Sequence, residues 1–237
     1  MSGIYIHIPY CKQACHYCDF HFSTSMKTKN EMIDCIVKEM DIRENEFSKK
    51  INSLYIGGGT PSLMTNLELE TIFNGLEKKI SIGNIKEITI EINPEDLINE
   101  KLKFYKEIGI NRLSIGIQSM NNNILKWMNR SHDTKQVING LNNTKEAGFE
   151  NISLDFIYGT PKNLSRDYKN ELLEILKFNP THLSCYHLTI EDGTYFGHLE
   201  KKSKIKKIED DVSQEEFRWI SKKLKSKNYQ DLLFFKI

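Results

Sequence analysis

The chain lacks the features that would tie it to a membrane or a charged polymer. Its 33 Lys and Arg nearly cancel 32 Asp and Glu, leaving a net charge of +1 over 237 residues. No excess of one sign argues for nucleic acid or an anionic membrane surface as a partner. No apolar run approaches the roughly 18 residues of a membrane span, and no basic-then-apolar leader opens the chain. Internal sequence repeats are not evident. Cysteine is scarce, with five in the whole chain. Without an export signal these read as free thiols in a reducing cytoplasm, not as a disulfide framework. The length suffices for one large α/β domain with its own core.

Three of the five cysteines nevertheless stand together. Cys11, Cys15 and Cys18 lie in the run Y-I-H-I-P-Y-C-K-Q-A-C-H-Y-C-D-F, residues 5–20, a C-x3-C-x2-C loop after a short apolar strand. Closely spaced thiolates in one loop can wrap around a soft metal centre. Structural zinc closes with four protein ligands, and His16 or His21 could supply the fourth. An iron–sulfur cubane held by three cysteines instead keeps one iron open.

Short β-type runs alternate with amphipathic stretches. The strands are expected at 4–8, 53–56, 88–92, 112–117, 152–157 and 182–188. Helices are expected at 29–47, 66–80, 100–108, 134–147, 166–178 and 213–225. Repeated β-then-α units predict a parallel sheet with helices outside it, doubly wound or a barrel. The glycine and proline signals at 57–61, 93–94 and 159–161 fall where βα loops belong.

The strands alternate instead of running apolar throughout. Ile88, Ile90 and Ile92 oppose Thr89, Glu91 and Asn93; Leu113, Ile115 and Ile117 oppose Ser114, Gly116 and Gln118; Ile152, Leu154 and Phe156 oppose Ser153 and Asp155. Side chains alternate across a strand, so the apolar set can face the helices while the polar set lines an interior. The polar members gather toward the carboxyl ends of the strands, where barrel enzymes place their sites. An antiparallel sheet with one wet face is the alternative, and the intervening helices count against it.

With those motifs in hand, the chain resembles the radical S-adenosylmethionine superfamily, through C-x3-C-x2-C with Tyr17 before the last cysteine. More narrowly it resembles the oxygen-independent coproporphyrinogen III oxidase family and its haem-chaperone branch, from about Tyr5 to about Phe196. The resemblance implies a partial (β/α)6 barrel with parallel strands and outer helices over residues 1–200. It also implies that residues 201–237 are the remnant of a carboxyl-terminal helical region. It implies a [4Fe-4S] cluster on Cys11, Cys15 and Cys18, and S-adenosylmethionine chelated to the open iron and cleaved reductively with an electron from a donor. By the same resemblance, S-adenosylmethionine is contacted by Tyr5, Tyr17, Gly58, Gly59, Thr60, Glu91, Gln118, Arg130 and Asp155. Haem or porphyrin, and client haemoproteins, are the implied partners.

Two departures refine the expectation. The oxidases carry a fourth cysteine where this chain has Phe20, which favours haem binding and transfer over coproporphyrinogen oxidation. A non-catalytic metal- or haem-binding module is the reading from a different class. The family's H-N-x-x-Y-W motif is absent, and the apolar end D-L-L-F-F-K-I, residues 231–237, reads as a truncated or frame-shifted terminus. Cys35 and Cys185 are expected to be small buried residues. His7, His182 and His187 are cavity candidates that read more simply as satisfied core histidines. The basic run 201–207 reads as a solvated loop.

Overall fold

The structure, a computed structural model, describes residues 2–48 and 50–230; the apolar end at 231–237 lies outside them. Six strands run parallel: β1 (Ser2–Ile8), β2 (Ile51–Gly58), β3 (Glu87–Ile92), β4 (Arg112–Gln118), β5 (Asn151–Tyr158) and β6 (His182–His187). They pair in sequence order, β1 to β6. Among the described residues β1 and β6 do not pair with each other, so the sheet is an open arc, a partial barrel.

Eight α-helices accompany the strands among the described residues: α1 (Lys29–Ile42), α2 (Asn66–Glu77), α3 (Asn99–Glu107), α4 (Asn122–Trp127), α5 (Thr134–Glu146), α6 (Tyr168–Leu176), α7 (Tyr195–Lys201) and α8 (Asp210–Lys225). Their starts are written locally. Thr65 and Glu68 form a reciprocal cap at α2, as Asp133 and Gln136 do at α5, each satisfying amide groups the first turn leaves open.

The alternation of the strands sorts as expected. Leu54, Ile56, Ile88, Ile90, Leu113, Ile115, Leu154 and Phe156 join one buried cluster under the helices. Each such side chain contributes about 1.5–3 kcal/mol of burial free energy. Their neighbours Tyr5, Tyr55, Glu91, Ser114 and Asp155 fall on the opposite, concave face. A second apolar cluster, built on Ile124, Met128, Ile157, Leu188, Ile190, Phe196 and Ile205, sits apart from the first, with Tyr17 and Trp127 against it.

Several expectations need correction. The first helix ends at Ile42 and continues as a 3-10 turn over Glu44–Ser48. Arg43 pins that junction by pairing with Glu39 and Glu46. Cys35 is exposed: α1 turns Ile33 and Met40 inward, and Cys35 is out of phase with that stripe. Cys185 is partly buried and packs on the core, where burial pushes its thiol up to about 12. Arg166 lies ahead of α6, not in it. The run 201–207 is mostly solvated, but Ile205 turns into the second cluster. Helix α8 returns to the arc through Ile220 and Leu224, and Tyr168 meets Trp219 edge to face.

Candidate functional site

The site begins where β1 ends. Pro9 and Tyr10 leave the strand, and Ser23 closes the loop by exchanging backbone hydrogen bonds with Cys11 and Pro9 at 3.0 and 2.7 Å. Between those anchors the chain carries all three motif cysteines. The segment 127–130 laces this loop from the far side. His16 Nδ1 lies 2.8 Å from the Trp127 carbonyl, and the His16 amide donates to Met128 O at 3.0 Å. Gln13 donates to Asn129 O at 2.8 Å, and the Asn129 amide group donates back to Ala14 O at 2.6 Å. Helix α7 adds a third support, since Phe196 N donates to His16 O and Tyr195 lies against the His16 ring at 4.1 Å.

Donors converge on the sulfurs. Thr60 Oγ1 donates to Cys11 Sγ at 3.5 Å, and Arg130 Nη1 donates to Cys15 Sγ at 3.4 Å. The loop after β2 passes so close that a Cβ on Gly59 would stand 2.9 Å from Cys11 Sγ and 2.7 Å from Tyr10 O. Only a residue without a side chain fits there. Burial raises the Cys11 thiol and carries Cys18 to about 11. A thiol held protonated by an apolar site becomes a thiolate when a metal takes the proton's place.

The residues present fit an iron–sulfur group. Three thiols share one loop, cationic or hydroxyl donors reach two of the sulfurs, and the glycine loop approaches them without a side chain. Among the described residues no three His, Cys, Asp or Glu side chains converge around a single ion. A cubane spreads three thiolates over three irons and needs no such convergence.

Behind the cysteines the concave face is polar. Glu91 accepts from Tyr55 OH at 2.8 Å and from the Gly58 amide at 2.9 Å, and Gly58 has φ +125°, a backbone that favours glycine. Burial raises the Glu91 carboxyl despite those two donors. Asp155 is carried to about 7, first by burial and further by the charge of Glu91, against the Ser184 hydrogen bond. Tyr5 is 58% exposed and its hydroxyl lies 3.0 Å from His7 Nδ1.

Arg130 spreads its guanidinium over four acceptors: Cys15 Sγ, Tyr17 OH at 3.3 Å, Asn93 Oδ1 at 2.8 Å and Gly116 O at 2.8 Å. Its Nε is the donor with no hydrogen-bond partner among the described residues. Burial raises the Tyr17 hydroxyl. The structure thus brings Cys11, Cys15, Cys18, Tyr17, Gly58, Gly59, Thr60, Glu91 and Arg130 into one connected region. Gln118 joins it through Arg130: a Cβ on Gly116 would lie 3.1 Å from Gln118 Nε2 and 3.3 Å from Arg130 Nη2. Asp155 and Tyr5 belong through their charge coupling to Glu91.

Sequence reasoning missed Tyr55, Gln13 and Asn129, and placed Asn93 on the inward polar side of its strand without a role; all four hold the others in place. Asn93 carried a signal, standing before Pro94 at a strand end; the other three carried none. His182 lies at the opposite end of the arc, beside an open cavity of about 880 Å³ under α6 and α8 that none of the site residues lines.

Three comparisons bear on this geometry. The model of the Radical SAM superfamily matches residues 5–175. "Heme chaperone HemW" of Buchnera aphidicola is 39% identical over 201 residues, covering 82% of this chain and 52% of that protein. The protein of the same description from Lactococcus lactis is 31% identical over 229 residues, covering 96% and 60%. The chain therefore spans about half to three-fifths the length of these relatives. Among solved structures, coproporphyrinogen III oxidase (HemN) from Escherichia coli, described as a radical SAM enzyme, superposes with a TM-score of 0.84 at 25% identity. That match covers 96% of this chain and 53% of the oxidase.

Proposed function

This chain belongs to the Radical SAM superfamily, and from that premise we propose that it holds a [4Fe-4S] cluster and S-adenosylmethionine and serves the binding and transfer of haem to client proteins. Cys11, Cys15 and Cys18 are the cluster ligands in this reading. When bound, the cluster would supply an electron, replenished by a separate donor, for reductive cleavage of a carbon–sulfur bond of S-adenosylmethionine. The protein's own part is binding, orientation and exclusion of water. Thr60 and Arg130 place a hydroxyl donor at the Cys11 sulfur and a guanidinium donor at the Cys15 sulfur. Tyr5, Tyr17, Gly58, Gly59, Thr60, Glu91, Gln118, Arg130 and Asp155 frame S-adenosylmethionine. Glu91 and Asp155 offer carboxylate acceptors for hydroxyl or amino groups, and the Arg130 Nε–H offers one remaining donor.

The observation that carries the reading is the close approach of Gly59 to the Cys11 sulfur together with that of the Arg130 guanidinium to the Cys15 sulfur. The haem step comes from the likeness to heme chaperones and is supported by Phe20, which is 75% exposed on the cysteine loop. No described helix is long and apolar enough to cross a membrane, and a cytoplasmic setting suits an oxygen-sensitive cluster.

A second reading, coproporphyrinogen oxidation, is favoured by the superposition on the oxidase and opposed by Phe20 in place of a fourth cysteine. Anaerobic reconstitution tests the shared premise. About four irons and four sulfides per chain are expected, lost in Cys11→Ala and kept in Cys35→Ser. Zinc without sulfide would overturn it. Single-turnover product analysis with S-adenosylmethionine and either haem or coproporphyrinogen then separates the two readings.

A further inference from the structure

Gln118 ends β4 in an unusual backbone. Its φ is +59°, and the Ser119 amide donates back to Ile117 O at 2.7 Å, so the chain closes a three-residue turn about Gln118. Turns of this hand are rare and strained for a residue with a side chain. The β4–β5 register shifts at the same place, between Ile115 and Gln118. The turn folds the Gln118 amide, 8% exposed, back beside Gly116 and Arg130. A left-handed non-glycine residue persists only where its surroundings over-determine it.

Those surroundings centre on a buried ion pair. Glu171, on the inner face of α6, accepts from Ser119 Oγ at 2.5 Å and from the Met120 amide at 2.7 Å through Oε2. Arg166 grips both oxygens of the same carboxylate, at 2.8 and 2.9 Å. Its remaining arm donates to Ile157 O at 2.6 Å, and its guanidinium lies 5.0 Å above the Phe156 ring. Ser119 Oγ also accepts from the Asn121 amide at 3.1 Å, and His132 Nε2 lies 3.1 Å from Ile117 O. One carboxylate therefore fixes both residues that follow Gln118. One guanidinium ties that carboxylate to the strand carrying Asp155.

We propose that the Glu171–Arg166 pair is a positioning device that holds the Gln118 turn, and with it the Gln118 amide, in the orientation that meets S-adenosylmethionine. The inference rests on the reading of Gln118 as a contact for that ligand. Apolar residues of the same volume would stabilise a core as well as a buried pair does. The pair instead supplies directional bonds to Ser119 and Met120, which an apolar substitute cannot.

The test uses the reconstituted holoprotein and measures S-adenosylmethionine affinity by anaerobic equilibrium dialysis, with thermal melting in parallel. Gln118→Ala is expected to weaken binding about threefold to tenfold, the worth of one hydrogen bond. Ser119→Ala, which leaves the ion pair whole, and Glu171→Gln are each expected to weaken it to a similar extent. In combination with Gln118→Ala they should add little, because both act through the same amide. Ser119→Ala keeps the test open if Glu171→Gln fails to fold. Full additivity, or a lowered melting temperature with unchanged affinity in Ser119→Ala, would show a structural role only and overturn the proposal. Unchanged affinity in Gln118→Ala would overturn the ligand-contact reading and leave the pair nothing to position. Weakening by Gln118→Ala alone would overturn the proposal and spare that reading.

Discussion

Cys15 Sγ and Arg130 Nη1 stand 3.4 Å apart across 115 residues of sequence. The contact joins the loop after β1 to the segment after α4, and it comes with Gln13, His16 and Asn129 on either side. The cysteine loop is thus held from outside as well as by its own backbone bonds through Ser23 and between Cys18 and Cys15.

Arg130→Lys is the sharpest probe of that arrangement. A lysine keeps the charge but cannot reach sulfur, phenol, amide and carbonyl with one planar group. Loss of these buried bonds should cost about 3 kcal/mol of stability, with iron content after reconstitution falling to less than half of the parent's. Full iron content and an unchanged melting temperature would remove Arg130 from the site.

Gly59→Ala should fail where Gly83→Ala does not. The added methyl at 59 meets backbone oxygen and sulfur at 2.7 and 2.9 Å, whereas at 83 nothing lies within 4 Å. Overpacking of this kind costs about 1–3 kcal/mol, and the displaced Cys11 should lower sulfide and iron counts. Melting and iron assays on both variants decide it, and equal behaviour would contradict the close approach.

His16→Ala separates the cubane from the zinc alternative. Losing the hydrogen bond to Trp127 O should lower stability by about 1 kcal/mol, while iron per chain stays at the parent value. Zinc bound by the parent and lost with the histidine would make His16 a ligand.

Asp155 gives a pH signature. Its folded value near 7 lies above the usual 3.8, so it takes up a proton on folding between the two. Its stabilising contribution is complete below about pH 4 and is lost as pH rises through about 7. Glu91, also raised, acts in the same direction. Denaturant midpoints at pH 5 and pH 8 should fall less in Asp155→Asn than in the parent. An equal fall in both would refute the assignment.

Much of this was legible in the chain. Short β-type runs gave the six strands, and period-two alternation in three of them gave the concave polar face, because a half-buried strand must sort its side chains that way. The cysteine spacing and the glycine loop gave the core of the site, since each motif is local. What could not be read are relations between distant segments. Nothing near Asn129 announces a partner at Ala14, and Arg166 reads as the opening residue of a helix until Glu171 is seen to hold it. The left-handed turn at Gln118 has no glycine or asparagine to mark it. Helix α4, six residues long, is too short for a periodic signal. Cys35 was misjudged because an amphipathic stripe fixes the inward face only when its phase is known, and Ile33 and Met40 set that phase.

The arc that β1 and β6 leave unjoined also sets how the interior responds to a guest. In a closed barrel the diameter follows from strand number and stagger, and enlarging it means breaking a ladder. Here the two margins can part while all five strand pairings stay intact. A broad, flat guest such as the proposed haem would then draw on the flexing of one twisted sheet, and the cysteine loop, mounted on the β1 margin, would travel with it.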